Sequence, residues 1–173
     1  MTDKTDRQKA AEIVRDAGGQ IVGRTRLQKV GYLLELAGFG DGFRFEYYHY
    51  GPYSEELTEG IRMADAFGLG PEEEKQANWG GRYSVFTANA ELGQPVDADR
   101  AQFAAAAAEI DSIEIELAAT AAYLAVAEHC PDPWAETARR KPEKADGDRL
   151  DKARIAYRRL LAFKTRTPLP QIA

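Results

Sequence analysis

Phe43-Arg44-Phe45-Glu46-Tyr47-Tyr48-His49-Tyr50-Gly51-Pro52-Tyr53-Ser54 is the stretch that decides how this chain is read. It packs seven aromatic or imidazole rings, a Gly-Pro pair and a helix-capping serine into twelve residues. Alternation along a strand puts Phe43, Phe45, Tyr47 and His49 on one face, and Arg44, Glu46, Tyr48 and Tyr50 on the other. Gly51-Pro52 breaks the strand. Ser54 caps a helix over about 55–67, whose Glu55 and Glu56 suit the positive end of the helix dipole. The first face reads as a hydrophobic keystone. Tyr48, Tyr50 and Tyr53 read as a surface that meets a partner, since tyrosine is enriched where interfaces carry their energy.

Upstream, Thr5 caps a first helix over about 6–17, which Gly18-Gly19 ends. Ile21-Val22 is a short extended link. Thr25 then caps a second helix to about Ala37, with Leu27, Val30, Leu33 and Leu34 as its buried stripe and Arg26, Lys29 and Glu35 on the opposite face. Downstream, residues 70–80 read as a polar loop holding Glu72-Glu73-Glu74. That triplet is a solvated run, or a phosphate mimic for a nucleic-acid-binding partner. Arg82–Thr87 reads as a second strand placed to pair with the aromatic one. From Asp97 the chain is helical, over about 98–109, 111–129, 134–140 and 148–164. Pro131 and Pro133 stop the longest of these helices.

This order predicts a mainly helical α+β fold in a single domain over 1–173. Residues 1–95 form a winged-helix-like part with a small antiparallel ribbon, and residues 96–173 a helical extension that ends in a basic helix. A chain of 173 residues, 44% hydrophobic and 29% charged, is long enough for a real core. No apolar run is long enough to span a membrane. The charged N-terminus argues against a secretory signal, and the single Cys130 against a disulfide framework, so a cytoplasmic setting is expected. The net charge of −5 divides into −11 over residues 1–134 and +6 over 135–173. The acidic body excludes nucleic-acid binding over the whole surface. It leaves contact through basic residues open.

Arg24-Thr25-Arg26-Leu27-Gln28-Lys29-Val30-Gly31-Tyr32, followed by Tyr50-Gly51-Pro52, resembles the Panacea-type antitoxin domain, also called the SocA-like family. The resemblance covers about residues 5–90 and rests on Leu27-Gln28-Lys29 with Tyr32 and on the Tyr-Gly-Pro turn. It implies a non-enzymatic protein that binds a partner protein such as a cognate toxin, or an adaptor or regulator in phage defence. Under that reading Gln28, Lys29, Tyr32, Tyr48, His49, Tyr50 and Tyr53 contact the partner, while Gly51, Pro52 and Ser54 shape the turn. A structural reading of the same motif stands beside it. Gly51 supplies an unusual backbone angle, and Gln28 and Lys29 bond the main chain at the strand ends.

A DNA-binding regulator is the alternative. It would use the second helix as recognition helix and strand 83–87 as wing, with Arg24, Arg26 and Lys29 entering the groove and Arg154, Arg158 and Arg159 on phosphates. No catalytic spacing is readable. His49 five residues from Ser54 matches no known dyad, and one cysteine with two histidines makes no zinc site. No enzyme activity, cofactor or metal is expected. The oligomeric state is open, with a homodimer among the options.

Overall fold

The computed structural model describes residues 4–172. Helix α1 (Asp6–Asp16) starts where Thr5 Oγ1 accepts from Gln8 N and ends in two glycines at positive φ. Strand β1 (Gln20–Val22) leads into α2 (Arg24–Leu36). The cap position of α2 is Gly23 at φ +97°, without a side-chain cap, so Thr25 lies inside the first turn. Leu27, Val30, Leu33 and Leu34 are buried as expected, but so is every other residue from Leu27 to Leu34. Helix α2 is packed on several sides, and Lys29 is interior rather than on a free face.

The aromatic run departs most from expectation. Residues 43–45 are irregular, β2 is only Glu46–Tyr48, and Gly51-Pro52 does not end the strand. Instead Gly51–Tyr53 is β3, paired antiparallel with β2 in the register Tyr48↔Gly51, Tyr47↔Pro52 and Glu46↔Tyr53. The turn falls at His49-Tyr50 and closes through Gly51 at φ +87°, an angle that glycine adopts freely. Alternation ends at the turn, so His49 is exposed rather than inward with Phe43. Ser54 caps α3 (Glu55–Ala66), its Oγ accepting from Leu57 N.

Arg82–Thr87 is a strand, β5, but its neighbours are β1 and β4 (Glu72–Gln76). The stretch read as a polar loop is therefore the edge strand of a three-stranded antiparallel sheet. Glu73–Gln76 are all exposed, so no apolar alternation marks β4 in the sequence. Charge on an edge strand also discourages further pairing. The wing is the β4–β5 hairpin, and β1 ties it to α1 and α2.

A short 3-10 turn (Ala90–Leu92) precedes α4 (Ala98–Glu109), α5 (Ser112–Ala127), α6 (Pro133–Arg140) and α7 (Arg149–Leu161). Alanines at 104, 107, 118, 119, 121 and 122 are fully buried, which lets α4 and α5 approach their neighbours closely. One core runs from Ile13 of α1 through Leu33, Phe103 and Leu117 to Tyr157 of α7 and Leu169 beyond it. The basic last helix thus packs its apolar face inward and keeps Arg158 and Arg159 outside. Among the described residues no helix is long and apolar enough to cross a membrane.

Candidate partner-binding site

The two motifs singled out in the sequence are bonded to each other. Gln28 Oε1 accepts from Ser54 N at 2.8 Å, and its Nε2 donates to Ser54 O at 3.0 Å and to Thr58 Oγ1 at 2.7 Å. Lys29 Nζ donates to Pro52 O at 2.7 Å. One turn of α2 therefore bonds the main chain of β3 at Pro52 and of the Ser54 cap after it, and β3 pairs with β2 over only three residues.

The far side of the hairpin is fixed from the C-terminal half. Lys141 Nζ donates to His49 O at 2.8 Å and lies 3.1 Å from Glu116. Lys144 Nζ reaches both Glu116 oxygens at 2.7 Å and stands 4.4 Å from the centre of the Tyr50 ring. Arg140 stacks on Tyr47 at 5.1 Å. Gly51 packs on Thr120, and a Cβ there would run into the Thr120 hydroxyl. That hydroxyl is fully buried without a hydrogen-bond partner among the described residues. Two lysines thus hold one buried carboxylate, whose charge is also felt by Lys29. Burial holds the Lys29 ammonium down at about 7, against the pull of Glu116 and with repulsion from Lys141 and Lys144. Burial also lowers Lys141.

Gln28, Lys29 and Tyr32 are all buried, so none of them belongs to the outward face of the hairpin. Tyr32 packs edge-on to Phe45 at 5.3 Å, and burial raises its phenol above the ordinary value. The outward residues are Tyr48, His49 and Tyr50, with Tyr53 half-buried beneath them. Tyr48 meets Tyr53 edge-to-face at 5.1 Å, and Tyr53 Oη accepts from Thr58 Oγ1. Gly51 and Pro52 are buried strand residues and Ser54 is the cap. Beside these tyrosines lies a groove of about 380 Å³ between α2, α3 and β5, floored by Leu27, Ile61 and Phe86.

The residues assigned to DNA do not form one surface. Arg24 pairs with Glu72 at 2.9 Å. Arg26 is half-buried, donating to Ile110 O at 2.9 Å and to Val22 O at 2.5 Å. Arg154 stacks on Trp134 at 5.6 Å, while Arg158 and Arg159 are exposed on α7. Helix α2 is too enclosed to lie in a groove of DNA, which corrects its reading as a recognition helix. Glu72 is held by Arg24 and Ser84, so the acidic triplet is not a uniform free face.

Sequence reasoning missed Glu116 and Thr120. The available signal was their spacing of four on one face of a helix that is otherwise almost wholly apolar. Lys141 and Lys144 were visible only as members of a basic tail.

No protein-family model matches the chain. The uncharacterized protein YwgA of Bacillus subtilis (strain 168) is 34% identical to it over 87 residues, which is 44% of this chain and 51% of that protein. The chain thus spans about half the length of this curated relative.

Proposed function

We propose that this chain is a non-enzymatic protein-binding module, an antitoxin or adaptor that holds a protein partner against the exposed face of the β2–β3 hairpin. The observation that carries the reading is the rigid presentation of Tyr48 and Tyr50. They are 39% and 56% exposed, yet they sit on a hairpin whose main chain is fixed by Gln28, Lys29 and Lys141. Aromatic anchors on a preorganised backbone lose little entropy on binding, and that is how interface hot spots are built. The resemblance of Leu27-Gln28-Lys29 and Tyr50-Gly51-Pro52 to the Panacea-type antitoxin domain supports the same reading.

The test is expression of the reading frame beside the gene, alone and together with this chain. Toxicity alone and rescue by the intact chain are expected. Loss of rescue is expected with Tyr48→Ala plus Tyr50→Ala at an unchanged urea midpoint. A harmless neighbour, or rescue that ignores the double substitution, overturns the reading.

A further inference from the structure

The groove beside the hairpin has a floor and a rim of different chemistry. Leu27, Ile61 and Phe86 on its floor are between 1% and 5% exposed, so the site offers apolar surface already shaped by the core. Tyr50 and Tyr53 wall one side. At about 380 Å³ it lies at the small end of ligand-sized pockets, room for one or two side chains rather than a folded element.

Arg24, Lys29, Arg62 and Glu72 are its charged lining, and because Lys29 is 1% exposed the cations at its edge are Arg24 and Arg62. Glu72 is already taken by Arg24 at 2.9 Å and by Ser84 Oγ at 2.6 Å. Arg62 is 66% exposed at its side chain and leans on Glu59 from the outer surface of α3. Lys29 meets a carbonyl, not a carboxylate, and the nearby Glu116 is bonded to Lys141 and Lys144. The pocket is thus apolar below and carries two largely exposed arginines at its edge, resting on Glu72 and Glu59.

We infer that the groove receives a segment of the partner protein that presents an aliphatic or aromatic side chain next to an aspartate or glutamate. The apolar side chain enters between Tyr50, Tyr53 and the Leu27–Ile61–Phe86 floor, and the carboxylate meets the Arg24–Arg62 rim. An anion arriving there also favours the protonated form of Lys29. This inference rests on the protein-binding reading and names the chemistry of what binds.

The experiment is selection of random twelve-residue peptides on phage against the immobilised full chain. Fluorescence anisotropy of the enriched peptides follows. The expected sequences pair Leu, Ile, Phe or Trp with a neighbouring Asp or Glu. Thr58→Trp, which fills the groove mouth and gives up the bonds to Gln28 and Tyr53, and Arg62→Glu, a surface change, each weaken binding at least tenfold with the circular dichroism of the folded chain retained. Alanine in place of the peptide's acidic residue does the same. Basic or purely apolar winners, no enrichment over an unrelated bait, or equal binding by Thr58→Trp and Arg62→Glu overturn the proposal. So does self-association of the chain that Thr58→Trp abolishes, since the occupant is then a second copy. Rescue that survives Thr58→Trp but fails with the tyrosine pair removes the groove and keeps the protein-binding reading. Groove-dependent peptide binding without a toxic neighbour removes the antitoxin reading and keeps the groove.

Discussion

The β2–β3 hairpin and the β4–β5 wing are both antiparallel ribbons, yet one is fixed through its main chain by side chains from the body and the other through its own ladder. The first pairs over three residues, its carbonyls at His49 and Pro52 are bonded by Lys141 and Lys29, and the Ser54 cap that follows it is bonded by Gln28. The second pairs over five, and its tip closes on itself through Ala77 N to Gly81 O at 2.7 Å. A ribbon too short to hold itself is an obligate part of the body that anchors it. A longer ribbon attached along one strand keeps its tip independent. Rigid presentation of Tyr48 and Tyr50 is therefore a property of α2, α5 and the segment after α6, not of the hairpin sequence.

The anchoring of the hairpin depends most on Glu116, which is 2% exposed at its side chain and is the carboxylate shared by Lys141 and Lys144. Glu116→Gln leaves buried ammonium groups without a counter-charge. We expect a loss of about 3–5 kcal/mol in urea unfolding, with hydrogen exchange at the hairpin accelerating more than at the wing.

Glycine substitutions sharpen it further. Gly51 and Gly80 lie in the two turns at φ +87° and +92°. A Cβ at Gly51 meets Thr120, whereas one at Gly80 meets nothing. Backbone strain alone costs Gly80→Ala about 1 kcal/mol. Strain with overpacking costs Gly51→Ala about 3 kcal/mol. Equal losses in chemical denaturation would show that the hairpin rides free of α5.

Lys29 links the hairpin to pH. Its folded value of about 7 lies below the ordinary 10.5. Between those values the unfolded chain holds the extra proton, so stability rises with pH, by up to about 1.4 kcal/mol per unit. Below the folded value both states are protonated and the dependence ends. Unfolding curves recorded from pH 6 to 9.5 are expected to show this rise, and Lys29→Met to flatten it.

Much of this architecture was legible. Caps at Thr5 and Ser54, glycine stops and apolar stripes located the helices within a few residues, while the cap read at Thr25 falls inside the first turn of α2. The mainly helical α+β class followed from their order. Two things were not legible. The first was strand partnership, because β4 is polar throughout and carries no period-two apolar signal, and because Gly51-Pro52 reads as a breaker although β3 needs only one anchored register. The second was the environment of the motif residues. A lysine on a helix reads as exposed, and nothing local reveals that Lys29 is covered by a hairpin 23 positions away and a helix 87 positions away. Here 87 is the separation of Lys29 from Glu116. The groove needs Leu27, Ile61 and Phe86 brought together from three elements, which periodicity within any one of them cannot state.

The smallest effect is expected at Trp79, the 79% exposed residue at the wing tip. Its indole lies over Gly81, where a Cβ would enter the ring, so its contacts are local to the turn. The chain's other tryptophan, Trp134, is 2% exposed and packs edge-on to Tyr157 at 6.1 Å. Trp79→Ala should change stability by less than about 0.5 kcal/mol. It should also leave a fluorescence spectrum that is blue-shifted and resistant to acrylamide, since only the buried indole remains. A larger loss of stability would mean that the wing tip is docked on the body. The two ribbons would then be anchored alike, and the independence of the wing would have to be given up.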